Sequence, residues 1–190
     1  MSTGLFIIVL VIIIVMVVFM GKKSVFRPKK FKKSSLTENP YRDFRDLAMR
    51  VTPEQLHLQL EKDKDLYGMI MDWNMGNAIA TVVSFKTGDA SVYLSTGQAF
   101  IGGFDHESIQ QAAKHFLAVG TQYLIKATKT ERTEPTNDQK IDFYFLTKSG
   151  RYYLEEDIYK IKNRTSELLE LFESGNQVTT EYRLLEEKNG

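Results

Sequence analysis

The chain has 190 residues with 25 Lys and Arg against 24 Asp and Glu, a formal charge of +1, so it lacks the overall basic excess of a nucleic-acid binder. It contains no cysteine, which excludes disulfides, thiolate zinc sites and cysteine nucleophiles. Near-neutrality conceals an asymmetry: seven basic and no acidic residues fall in the first 33 positions, leaving 18 basic against 24 acidic groups for the remainder.

In chain order, the first feature is Leu5 to Met20, sixteen consecutive apolar residues. As a helix this run is about 24 Å long, and Gly4 and Gly21 extend it towards the roughly 30 Å hydrocarbon core of a bilayer. A buried core helix would show a polar or small-residue seam, whereas this run is apolar all round. A cleaved leader would carry a basic start and small residues before its cleavage site; Met1 to Gly4 is uncharged and the run ends Phe19-Met20-Gly21. The expectation is a retained transmembrane signal-anchor over residues 1–21. Lys22, Lys23, Arg27, Lys29, Lys30, Lys32 and Lys33 follow, and Phe26 and Phe31 are interleaved with them. Basic residues stay on the cytoplasmic side during insertion, so the N-terminus is expected outside and the rest of the chain in the cytoplasm. The same seven residues suit anionic lipid headgroups at the membrane surface. The acidic remainder would stand off both that surface and nucleic acid, so no nucleic-acid partner is expected.

Residues 22–50 read as a basic juxtamembrane segment and linker that becomes ordered near Tyr41, and 51–190 as one cytoplasmic domain. Thr52-Pro53-Glu54-Gln55 carries a cap, a first-turn proline and a capping-box glutamine, which predicts a helix ending within Lys62 to Asp65. Strands are predicted at Met69 to Trp73 and, as a hairpin across Lys86 to Asp89, at Ala78 to Phe85 and Ala90 to Thr96. Gln98 to Ile101 is a short extended piece between glycines. The stripe Ile109, Ala112, Ala113, Phe116, Leu117, Gly120, Tyr123 predicts a helix over about 106–124, capped by Asp105. Thr128 to Gln139 reads as an exposed loop, Ile141 to Thr147 and Arg151 to Glu155 as a second hairpin. From Ser166 the apolar residues recur at helical spacing, interrupted by Gly175.

Helix, three strands, helix, two strands, helix is an α+β domain: an antiparallel sheet of about five strands with two to three packed helices. From about residue 50 this element order resembles that of longin, roadblock and profilin-like folds. The resemblance rests on order alone, so it carries no functional residue with it.

The sequence presents no catalytic constellation, no cofactor motif and no metal-ligand spacing. His57 has no neighbour at three or four residues, and His106 and His115 do not share a helix face. Gly97 to Gly103 precedes a helix but lacks the lysine of a phosphate loop. Asp105, His106 and Glu107 suit a helix N-terminus better than acid-base work. Candidate partner-binding residues are Trp73, in a turn-flanked strand end, and Tyr93 and Tyr144, out of phase with the apolar side chains of their strands, as is Tyr153. An alternative buries these tyrosines beneath a third layer, with the final helix as the cover. The functional expectation is a membrane-anchored, protein-binding scaffold, adaptor or regulatory subunit, with homo-oligomers admitted. Two other readings follow it: a tethered sensor holding a small ligand between the sheet and the 106–124 helix, and an enzyme using Asp72, Asp105, His106 or Glu107.

Overall fold

Residues 39–135 and 139–189 are described by a computed structural model. The apolar run, the seven basic residues after it and their expected topology lie outside the described residues. Among the described residues no helix is long and apolar enough to cross a membrane.

Seven antiparallel strands form one sheet: β1 Leu66–Asn74, β2 Ile79–Phe85, β3 Ala90–Leu94, β4 Ala99–Ile101, β5 Thr128–Lys129, β6 Lys140–Thr147 and β7 Gly150–Asp157. Their spatial order is β4-β3-β2-β1-β6-β7-β5. Among the described residues four α-helices accompany them: α1 Tyr41–Arg50, α2 Glu107–Tyr123, α3 Ile158–Lys162 and α4 Leu169–Asn189. The expected five strands are thus seven, because Gln98 to Ile101 does pair, and Thr128–Lys129, expected in a loop, adds a two-residue edge against Tyr152 and Tyr153.

Alternation within the strands divides the core in two. Met69, Met71, Val82, Val92, Ile141, Phe143 and Phe145 face α2, α3 and α4. Ile70, Val83, Phe85, Tyr93, Tyr144 and Leu146 face α1 and the stretch 51–60. The sheet therefore has a layer on each face. The β2–β3 hairpin closes on Gly88, whose φ of +96° is open to glycine at little cost, while Phe85 N–H donates to Asp89 O at 2.8 Å. α4 runs unbroken through Gly175, where an added Cβ would sit 2.9 Å from Met71 Sδ and 3.1 Å from Phe116 Cζ. That glycine is a point of close approach rather than a helix end.

Three expectations are corrected by the structure. Tyr41–Arg50, placed in the linker, is a helix, and its buried residues Tyr41, Arg45, Ala48 and Met49 recur at four, three and one. The helix expected from Thr52 does not form. The capping contacts do exist, with Thr52 N–H donating to Gln55 Oε1 at 2.9 Å and Gln55 N–H to Thr52 Oγ1 at 3.4 Å. After one turn His57 adopts φ +55°, and Leu56, Leu58 and Leu60 then alternate along an extended segment that lays them on the sheet. Finally, Asp105 belongs to a 3₁₀ turn, Gly103–Asp105, and the residue capping α2 is His106, whose side chain makes no capping bond.

Candidate functional site

Two places gather chemistry. The first is a polar network between the sheet and α1, buried at Asp72 and Asp142 and reaching solvent at Arg132 and Glu155. Asp72 on β1 and Asp142 on β6 are directly opposite in register, and neither has accessible surface. Arg45 of α1, 1 % exposed, grips Asp72 with Nε at 3.0 Å and Nη2 at 2.5 Å from Oδ2, and its Nη1 donates to the Thr133 carbonyl. Thr81 Oγ1 donates to Asp72 Oδ1 at 2.5 Å and shares a 2.9 Å bond with the Tyr41 hydroxyl. Tyr41 and Arg45 are one helical turn apart, so one helix face brings Arg45 to the Asp72 carboxylate and Tyr41 to the threonine that is bonded to it.

Asp142 has its own retinue. Tyr153 Oη donates to Asp142 Oδ1 at 2.8 Å, Arg132 Nη2 lies 3.4 Å from Oδ2, and Arg132 Nη1 donates to Tyr153 Oη at 2.9 Å. Glu155, paired with Lys140 at 2.6 Å, sits 2.9 Å from the same hydroxyl. The guanidinium groups of Arg45 and Arg132 lie over the Tyr144 and Tyr153 rings, at 5.5 and 5.2 Å from their centroids. Burial pushes the Asp142 carboxyl up to about 6, against the lowering pull of Tyr153 and Arg132, with Asp72 adding to the rise. Burial likewise pushes the Tyr41 hydroxyl up to about 12 and raises Tyr144 and Tyr153.

The second place is open. A hollow of about 250 Å³ lies between α3 and α4, with Trp73, Ile158, Ile161, Leu169 and Phe172 among its walls. The Trp73 and Phe172 rings meet edge to face at 5.1 Å, and the indole N–H is buried without an acceptor. Lys162, Arg164, Glu173 and Asn176 complete the lining. Arg164 holds a left-handed backbone, φ +56°, where glycine is the usual helix terminator, and its guanidinium pairs with Glu173 at 2.8 Å. On the other side of the α3–α4 turn a polar hollow of about 440 Å³ is lined by Glu156, Lys160 and residues 165–168.

Set against protein-family models, curated proteins and solved structures, the chain matches none. Of the residues singled out by sequence, Trp73 lines the open hollow. Tyr93 and Tyr144 do not offer surface: Tyr93 is 8 % exposed and stacks on Phe44 of α1 at 5.5 Å, and Tyr144 is fully buried, its hydroxyl donating to Glu134 O at 2.8 Å. The layer over them is α1, while the final helix lies on the opposite face with α2. Asp72 is enclosed in the network, far in chemistry from Asp105, His106 and Glu107, which lie at the start of α2. Between α2 and the sheet the space is filled by Ile109, Ala113 and Phe116, and a Cβ at Gly120 would come within 2.8 Å of Met69 Sδ. Among the described residues no group of three or more His, Asp or Glu is arranged to hold a metal ion.

Sequence reading passed over Arg45, Arg132, Asp142 and Glu155. One signal was present: Asp72 and Asp142 each interrupt a run of strand residues that is otherwise apolar on both phases, and a charge in such a run has to be buried with a partner.

Proposed function

We propose that this chain is a single-pass membrane protein, held by the apolar run Leu5 to Met20 with its N-terminus outside, whose cytoplasmic domain binds another protein as a scaffold, adaptor or regulatory subunit. The observation that supports protein binding is the open apolar hollow walled by Trp73 and Phe172. At about 250 Å³ it falls short of the roughly 300–1,000 Å³ of pockets that enclose small molecules, but it suits one or two side chains of a partner. Tyr159, on the adjoining helix α3, is 55 % exposed and large enough to anchor such a contact. The basic stretch from Lys22 to Lys33 supports the orientation and a contact with anionic headgroups.

Photo-cross-linking from position 159 in native membranes tests the reading. A stoichiometric partner is expected, and its capture should fall at least tenfold when Arg164→Gly is added. The glycine variant relieves the left-handed backbone, so its fold is retained while the guanidinium at the rim is lost. Equal capture from position 159 and from a site on the α1 side, or no partner in several detergents, would count against it.

A further inference from the structure

The Tyr153 hydroxyl has one hydrogen and two carboxyl groups to serve. Its oxygen lies 2.8 Å from Asp142 Oδ1 and 2.9 Å from Glu155 Oε2, and it also accepts from Arg132 Nη1 at 2.9 Å. An ionised carboxylate only accepts, so a single hydroxyl hydrogen satisfies one of the two contacts, and the other needs a proton brought by its own carboxyl. Glu155 is the group that stays ionised, since Lys140 Nζ holds its second oxygen at 2.6 Å. Asp142 is the group without accessible surface, it faces the Asp72 carboxyl across the central strands, and its cation Arg132 comes no nearer than 3.4 Å.

We propose that Asp142, Tyr153 and Glu155 form a proton-binding site, and that its occupancy tightens the cover that α1 and residues 131–135 make over this face of the sheet. On loading, a proton from solvent bonds to Asp142 and is donated to the Tyr153 oxygen, while Tyr153 turns its own hydrogen to Glu155. The hydroxyl then donates once and accepts twice, which is its full capacity. Loading also removes the repulsion between Asp142 and Asp72. Because Arg45 spans Asp72 and the Thr133 carbonyl, relief at the carboxylate pair reaches both α1 and the 131–135 segment. Of the other titratable groups around the pair, Tyr41 and Tyr144 stay neutral, being raised by burial, and Glu134 of the 131–135 segment stays ionised, held low by backbone hydrogen bonds and then by Arg132 and Arg45. The raised Asp142 carboxyl, about 6, and the Glu155 carboxyl, held low by Lys140, agree with this division of protons.

The test uses the full chain in lipid nanodiscs, with carbon-13 NMR of the carboxyl groups and amide exchange corrected for intrinsic rates. One carboxyl should titrate near pH 6 and be missing from Asp142→Asn. Amides of α1 and of residues 131–134 should be several-fold better protected at about pH 5 than at about pH 7.5, and this difference should vanish in Asp142→Asn. Tyr153→Phe keeps the ring and removes the donor that favours ionised Asp142, so the midpoint should move upward. The proposal is overturned if every carboxyl titrates below about pH 5, if the protection difference survives Asp142→Asn, or if the midpoint is unmoved in Tyr153→Phe.

Discussion

At the scale of single residues, the network under α1 concentrates the domain's sensitivity to mutation. Asp72 is fully buried, so removing its guanidinium leaves a desolvated charge; Arg45→Ala should cost about 3–5 kcal/mol in urea unfolding. Replacing both members, Arg45→Met with Asp72→Leu, should cost markedly less, since no orphan charge remains. The pH dependence follows from Asp142, whose carboxyl rises on folding from 3.8 to about 6. A raised acid stabilises the fold fully below its unfolded value and loses that contribution as pH climbs through the folded one. Between pH 7.5 and 5 the domain should therefore gain about 1–1.5 kcal/mol on acidification, read as a Tm rise of about 3–6 °C, and Asp142→Asn should flatten the profile. What was legible at this scale was phase. Alternation put Tyr93 and Tyr144 on the face away from the apolar majority, and they are there; nothing local announced that α1 covers them. Arg45 misled most, because a guanidinium occupying a core position of a helix makes the apolar stripe read as linker.

At the scale of elements, β-structure was readable because turn chemistry and alternation agree: the β2–β3 and β6–β7 hairpins fall where the sequence places them, to within one or two residues. The stretch after Thr52 failed because a local helix start competed with a period of two further on. Leu56, Leu58 and Leu60 bury more by alternating along the sheet than one helical stripe would, and tertiary burial outweighs a capping box of about 1 kcal/mol. Gly175 illustrates the opposite balance. Gly175→Ala gains about 1 kcal/mol of helix propensity, yet its methyl would intrude on Met71 and Phe116, both fully buried, at about 1–3 kcal/mol. The net expectation is a loss of about 1 kcal/mol by denaturant unfolding, with α4 helicity unchanged by circular dichroism.

At the scale of the whole molecule, the sheet and the helices on both its faces are contained within residues 39–189. Residues 34–190 expressed alone should thus unfold in one cooperative transition, whether followed by Trp73 fluorescence or by far-ultraviolet circular dichroism; non-coincident curves would mean the preceding residues contribute to the core. On the topology proposed above, replacing Lys22, Lys23, Arg27, Lys29, Lys30, Lys32 and Lys33 with Gln should divide a C-terminal reporter between the two sides of the membrane, because the charge asymmetry that would orient the span is gone. The strand order has a further bearing, on how the chain comes to be folded as it is made. β1 is central, with β2 following within a few residues on one side, but its other neighbour, β6, ends at Thr147. At about 5–20 residues per second the ribosome leaves that side of β1 unpaired for roughly 4–15 s, with Ile70 and Met71 on an open edge. A nascent chain in that interval is a sheet with one seam unsewn, and the burden of keeping it from pairing with its neighbours on a polysome falls on whatever meets it there.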